Sequence, residues 1–445
     1  MTHGPPGVFG LRNVYRFSSD PLAFLRQMTD EHGDFVELKL LGQPWFLVNH
    51  PDDIETVLVK HAAIMLRDEY VEVMKRTLGL GLLTSEGALW KRQRKLMAQA
   101  FTPKRIRTYA ETMVAVTDEG VSWTEGEEIN LHQEMSRLTM EVVSAVLFGA
   151  SIGPREVGTV RRSMEAVNEF YANSPEAILK VPAWVPTPRN RRLDGAVKNL
   201  DALIYEIIGR RRRGEARDDL LGTLLDARDE GTRSTDGKGM SDQQLRDEAV
   251  TLFLAGHETT ALALAHTVYL LSKHPEVERR LARELTEVLG GRLPSAADVS
   301  SLVYTERVLK ESMRLYPPAW TIGREVAEAF ELRGRQIPKG AQLLSSQWIV
   351  HRDPRWFPNP EAFDPDRWLP ERTATLPRFA YFPFGGGPRV CIGNHFAMME
   401  ATLMLAILFS RHHFALLPEQ RLEFVPSVTL RPKGSGLRVR VTARD

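Results

Sequence analysis

The sequence predicts a mainly α-helical protein with small β-sheets, arranged as one large domain with a long central helix. Three observations carry this reading. Apolar residues at helical spacing dominate the chain, a few short stretches alternate like strands, and no linker-like segment divides the 445 residues. Hydrophobic residues at 43% and charged residues at 26% suit a globular chain with a large core. A formal net charge of +1 without a basic tail argues against a protein wrapped on nucleic acid.

The elements follow in order. Asp20-Pro21 places proline at a first helical position, and Leu22, Phe24, Leu25 and Met28 continue an apolar stripe toward Gly33. From Phe35 to Val48 the pattern suits two strands around Gly42-Gln43-Pro44. Helical periods then cover 86–100, 103–121, 131–147, 190–213, 218–229, 242–273, 275–289 and 302–315. A second β-rich stretch runs from Ile322 to Ser345, with turn signals at Gly334 and Pro338-Lys339-Gly340. Residues 351–390 carry prolines and glycines that forbid regular helix, and irregular segments of that length are usually functional. An apolar helix is expected over 394–410 and strands between Leu422 and Val441. The first ten residues contain no basic segment leading into an apolar run, so neither signal peptide nor membrane anchor is expected and the protein reads as cytoplasmic.

Cys391 is the chain's only cysteine, which excludes an internal disulfide framework, a CxxC redox pair and a multi-cysteine metal site. It ends the segment Phe382-Pro383-Phe384-Gly385-Gly386-Gly387-Pro388-Arg389-Val390-Cys391. Glycines let backbone approach a flat cofactor and turn N–H groups toward a sulfur anion. The helix expected just after Cys391 would set its positive end against the sulfur, favouring thiolate. Phe384 can shield the sulfur from water, and Arg389 suits a carboxylate. By residue type alone, Cys391 could equally be one more buried cysteine beside a glycine turn.

The segment 242–273 would span about 48 Å as one helix at ~1.5 Å per residue. Its centre, from Val250 to Leu262, is apolar on both sides of Glu258. Gly256 costs about 1 kcal/mol in a helix interior, and a buried carboxylate is costly unless paired or protonated. Ala255-Gly256 would leave room for a diatomic ligand, and Thr259 beside Glu258 can relay protons from water. The bland alternatives are a Thr259 hydroxyl bonded to the carbonyl four residues back and a solvated Glu258 ion pair. His257-Glu258 also begins the zinc-protease pattern HExxH, but Ala261 stands where the second histidine is needed.

Phe384, Gly387, Arg389, Cys391 and Gly393 match FxxGxRxCxG, followed by Ala397, and this resembles the haem-ligand signature of the cytochrome P450 family. Ala255-Gly256-His257-Glu258-Thr259-Thr260 resembles the family's oxygen-activation motif, about 130 residues before the cysteine loop. Glu311 and Arg314 match ExxR ahead of Tyr316-Pro317-Pro318, and Phe363 to Trp368 resembles the loop supplying a second arginine, Arg367. Glu276 and Arg279 also match ExxR and read as a solvated face.

The resemblance covers nearly the whole chain and implies the cytochrome P450 fold, one domain over 1–445 without a fused reductase, its long helix lying over haem b (iron protoporphyrin IX). It implies Cys391 as the iron ligand, with Phe384, Gly393, Ala255 and Gly256 also at the haem. Trp90, Arg94, Arg324 and Arg389 would meet the haem propionates. Glu258 and Thr259 would deliver protons, and Glu311, Arg314 and Arg367 would form a structural network behind the cysteine loop. The substrate pocket would draw on residues 65–85, Phe253, Ala255, Ala319, Trp320, Thr321, Ile322, Val428, Thr429 and Leu430, suiting a fatty acid, a terpenoid or a similar hydrophobic guest.

The implied activity is a monooxygenase that uses O2 and electrons from NAD(P)H, passed through an external ferredoxin or flavodoxin and its reductase, to hydroxylate or epoxidise that guest. Lys91, Arg92, Lys95, Lys104 and Arg105 make a basic surface suited to such an acidic partner. The protein is expected to be a monomer. A peroxide-driven peroxygenase or isomerase on the same scaffold is one alternative, against which Glu258 and Thr259 weigh. A non-catalytic haem sensor is the other, and it needs no proton relay. Residues 210–213 and His412-His413 read as solvated structure, the first at a helix end and the second on different faces of a helix.

Overall fold

A computed structural model describes residues 10–149, 153–171, 182, 184–214, 218–227, 239–418, 420–434 and 436–444. The chain forms two compact units, Met1–Val73 with Lys310–Cys391 and Phe424–Arg431, and Met74–Leu309 with Ile392–Glu423 and Pro432–Asp445.

The first unit holds a five-stranded sheet, ordered Phe35–Leu40, Gln43–Val48, Gln342–Ser345, Ile322–Val326 and Met65–Leu66. The first two strands turn at Leu41-Gly42, both at positive φ, one residue earlier than the sequence suggested. Alternation along the strands feeds two cores: Phe46, Val48 and Leu343 enter one, while Leu47 and Leu344 enter the other with Phe24, Leu25 and Met28. Those last three residues lie on the helix Pro21–His32, which Asp20 caps by accepting from the Ala23 amide at 3.0 Å. Short helices Leu11–Ser19 and Pro51–Glu55 escaped the reading of the sequence, the second because five residues are too few to show an apolar period.

The second unit is mainly helical, and Gly87–Ala98, Pro103–Gly120, Leu131–Phe148, Pro188–Arg212 and Pro275–Leu289 lie within a few residues of expectation. The helix Asp242–Lys273 starts at a capping box between Ser241 and Gln244 and is buried along most of its 32 residues. The helix Pro154–Tyr171 was not predicted, although Val160, Met164, Val167 and Tyr171 form a buried stripe at helical spacing along it. The helix expected over 218–229 is shorter, Leu220–Asp226, with Asp219 as its cap; residues 228 and 229 lie outside the described residues.

His412-His413 open the strand His412–Leu416, not a helical turn, because the segment pairs with Arg438–Ala443; the His413 Nδ1 lies 2.7 Å from Glu278 Oε1. Within 210–213, Arg211 is not solvated: it is buried, ion-paired with Asp219, and donates to the Phe148 carbonyl at 2.8 Å. Among the described residues no helix is long and apolar enough to cross a membrane. The reading of the first ten residues falls almost wholly outside the described chain.

Candidate active site

In the sheet-bearing unit, the loop from Phe382 ends at Cys391, which is exposed. The Cys391 amide donates to the Phe384 carbonyl at 3.0 Å, and Val390 closes a tighter turn onto Gly387 at 3.1 Å. A Cβ on Gly387, which sits at φ +67°, would stand 1.9 Å from the Leu58 carbonyl oxygen, and one on Gly386 would stand 2.2 Å from the Phe379 ring. The loop therefore lies directly on its neighbours, and side chains there would push the thiol out of place. Phe384 and Arg389 are half-buried. Arg324, on the strand Ile322–Val326, is buried and donates to the Gly323 carbonyl at 2.7 Å. A Cβ on Gly385 would meet the Ile322 side chain of that strand at 3.3 Å. An accessible sulfur donor on bare backbone, with arginines on its own loop and on the adjoining strand, fits a flat iron macrocycle with carboxylate arms.

Glu311 and Arg314 are both fully buried on the helix Val303–Leu315. Arg314 grips Glu311 with two bonds, Nε to Oε2 at 2.9 Å and Nη2 to Oε1 at 2.8 Å. Arg367 Nε at 3.1 Å and the Asp364 amide at 3.1 Å add to Oε1, and the Trp368 indole at 3.1 Å adds to Oε2. Arg314 also donates to the carbonyls of His351, Pro360 and Ala362. The reading of the sequence missed His351, whose Nε2 accepts the Phe382 amide at 3.0 Å. That bond links the carboxylate network to the start of the cysteine loop. Burial, with the Arg314 and Arg352 charges, pushes the imidazole well below its usual range, so it stays neutral with Nε2 as acceptor. The only hint in the sequence was a histidine just ahead of Arg352-Asp353-Pro354, in a segment read solely as loop.

In the helical unit, the centre of Asp242–Lys273 presents Leu252, Ala255, Gly256 and Thr259 as its accessible residues, at the i, i+3, i+4, i+7 spacing of one face. Glu258 is buried. Thr259 donates to the Ala255 carbonyl at 2.7 Å, the local bond anticipated as its alternative. A Cβ on Gly256 would come 3.3 Å from the Val143 side chain of Leu131–Phe148, a tight approach to which that side chain would have to yield by a few tenths of an ångström. Trp90 and Arg94 lie half-buried on Gly87–Ala98.

The expected pocket residues divide. Ala319, Thr321, Ile322 and Val428 keep accessible surface. Phe253 is instead a core residue, fully buried against Phe148 with ring centroids 5.1 Å apart. Trp320 is likewise core, its indole held by the Ser427 carbonyl at 2.9 Å, and Thr429 and Leu430 are buried. These corrections share a cause, since an aromatic or aliphatic side chain looks the same in sequence whether it faces core or ligand. The basic surface is also smaller than expected: Lys91, Lys95 and Lys104 are exposed, but Arg92 donates to the Gly239 carbonyl at 2.8 Å and Arg105 pairs with Asp218.

The family model for cytochrome P450 matches residues 3–438. The chain is 41% identical over 435 residues to cyclooctatin synthase of Streptomyces melanosporofaciens, covering 96% of this chain and 93% of that one. It is 37% identical to cyclooctat-9-en-7-ol 5-monooxygenase of the same organism, covering 92% and 87%. Among solved structures, retinoic acid-bound cyanobacterial CYP120A1 matches with a TM-score of 0.83 at 27% identity, over 95% of this chain and 94% of that one. The chain belongs to the cytochrome P450 family, haem-iron oxidoreductases that act as monooxygenases.

Proposed function

We propose that this monooxygenase hydroxylates or epoxidises a cyclic terpenoid, drawing electrons from NAD(P)H through a separate ferredoxin or flavodoxin and its reductase. The observation that carries the reading is the chain's one thiol, exposed at the end of a loop that His351 ties to the Glu311–Arg314 network. Haem held through that sulfur would supply the iron chemistry that activates O2 for insertion of one oxygen atom into the substrate. Cys391 would hold the iron as an anionic sulfur donor, and Arg324, Arg389 and Arg94 with Trp90 would hold the carboxylate arms. Glu258 would carry protons inward to Thr259. The Thr259 hydroxyl would pass a proton to the oxygen co-substrate by rotating away from the Ala255 carbonyl, giving up a bond of about 1 kcal/mol, and would take a replacement from Glu258.

A terpenoid is favoured over a fatty acid by the two Streptomyces relatives, one of them named for a cyclic alkenol substrate. Leu252, Ala255 and Gly256 form an apolar, small-residue surface suited to a rigid ring system. Two measurements test the proposal. The reduced carbon monoxide adduct should show the red-shifted Soret band of sulfur ligation, and Cys391→Ser should lose it. Cyclic terpenoid alkenols should drive the low- to high-spin optical shift and be oxidised faster with ferredoxin and reductase than with peroxide alone. A shift produced by fatty acids and not by terpenoids would overturn the substrate assignment, and a missing red-shifted band would overturn the rest.

A further inference from the structure

The helix Asp242–Lys273 carries two buried acids that proton delivery does not use, Asp247 and Glu248. Both reach the segment 79–85. Asp247 Oδ2 accepts the Leu80 amide at 2.8 Å, and Glu248 Oε2 accepts the Leu82 amide at 2.9 Å. The residues just before these amides are glycines pressed onto the helix: a Cβ on Gly79 would lie 2.3 Å from the Asp247 carboxylate, and one on Gly81 would lie 2.2 Å from Thr251 Oγ1. Each N–H that follows a glycine thus meets one acid. From the other side, buried Gln93 donates to the Leu80 carbonyl at 2.7 Å and accepts the Ser85 hydroxyl at 2.7 Å.

The two acids are not equivalent. Asp247 has further donors in Gln243 at 2.8 Å and Arg246 at 3.0 Å. Glu248 Oε1 is buried with no hydrogen-bond partner, and burial pushes the carboxyl up to about 8, which leaves it a neutral acid at neutral pH. An idle buried oxygen costs stability that an apolar residue of similar size would not, so packing does not account for the acid. Position does. Thr251, which Gly81 touches, immediately precedes Leu252, the first accessible residue of the helix centre, and the Leu80 side chain is exposed.

We propose that Glu248 is a positioning residue for substrate: by holding the Leu82 amide it seats the segment 79–85 beside Leu252 and Ala255, as a preset wall that discriminates bulky guests from small ones. The proposal rests on reading that helix face as the substrate side of the monooxygenase.

The test compares the haem-loaded protein with its Glu248→Leu and Glu248→Gln variants. Two readouts are taken, amide hydrogen exchange of the segment 79–85 and the optical dissociation constants of imidazole and clotrimazole, a small and a bulky iron-binding azole. In Glu248→Leu, exchange should quicken and clotrimazole affinity fall, each by about tenfold, roughly one lost hydrogen bond. Imidazole binding should hold within about twofold, since the metal end is untouched. Glu248→Gln keeps an acceptor oxygen and should restore both readouts. Unchanged exchange and clotrimazole binding in Glu248→Leu, or failure of Glu248→Gln to restore them, overturns the proposal. If Glu248→Leu does not retain haem, Gly81→Ala decides, because it displaces the segment with the acid intact: selective loss of clotrimazole supports the proposal, and unchanged binding overturns it. The exchange readout needs no haem, so a failed clamp is distinguishable from a failed monooxygenase reading, which a missing red-shifted carbon monoxide band in the parent protein would signal.

Discussion

Glu311 in the sheet-bearing unit and Glu400 in the helical unit are both buried carboxyls, and their surroundings have little in common. Glu311 receives Arg314, Arg367, Trp368 and the Asp364 amide. Among the described residues Glu400 meets the Thr260 side chain, its Oε1 is buried with no hydrogen-bond partner, and burial pushes the carboxyl up to about 8. An acid met by guanidinium groups is an anchor whose loss strands cations. An acid met by almost nothing is held in its neutral form by burial. The same residue type is thus an anchor in one unit and a titrating group in the other.

The contrast breaks most visibly at the anchor. Glu311→Ala leaves Arg314 and Arg367 without their carboxylate and should cost about 3–5 kcal/mol. The expected result is loss of haem retention, read from the ratio of Soret to protein absorbance and from the urea midpoint. Normal haem content would remove the anchor from the account.

Glu400→Gln sharpens the other side. The folded-state pKa lies above the usual 4.5, so the folded protein keeps a proton that the unfolded chain releases as pH climbs. Its stabilising contribution is therefore complete below pH 4.5 and is lost as pH rises toward 8. Glutamine does not titrate, so the stability of Glu400→Gln relative to the parent should rise by roughly 3 kcal/mol from pH 5 to pH 8. Urea unfolding at the two pH values measures it; a pH-independent difference would place Glu400 among ordinary carboxylates.

His351→Ala tests how far the anchor extends. Leaving the Phe382 amide unsatisfied should cost about 1–3 kcal/mol and raise the fraction of carbon monoxide adduct absorbing at the unshifted position. An unaltered adduct spectrum would mean that the cysteine loop holds without its histidine. The smallest effect is expected at the surface. Charge reversal at Lys91, Lys95 and Lys104 should slow reduction by ferredoxin about severalfold at low salt and flatten its salt dependence. The same change at Arg92 or Arg105, whose guanidinium groups are already engaged within the chain, should do less.

Much of the site was legible because its signals are local. The cysteine loop, the Ala255–Thr260 hexamer and the Glu311–Arg314 pair each occupy a few consecutive positions, and the long helix was expected over the bounds it has, 242–273. His351 and Glu248 were illegible because their partners are remote in sequence, 31 residues away at Phe382 and 166 away at Leu82. The strand at His412–Leu416 depended in the same way on a pairing segment, Arg438–Ala443, that lies beyond it.

What the residue order determined unaided was the chemistry on offer: one thiol to hold a metal, a carboxyl beside a hydroxyl at the centre of a helix, and arginines suited to acidic groups. Only the folded chain decided which carboxyls are paired and which are merely dry, and which aromatic rings are core. Periodicity and spacing are encoded along the backbone, but desolvation and hydrogen-bond satisfaction are set by neighbours that only tertiary contacts bring within reach.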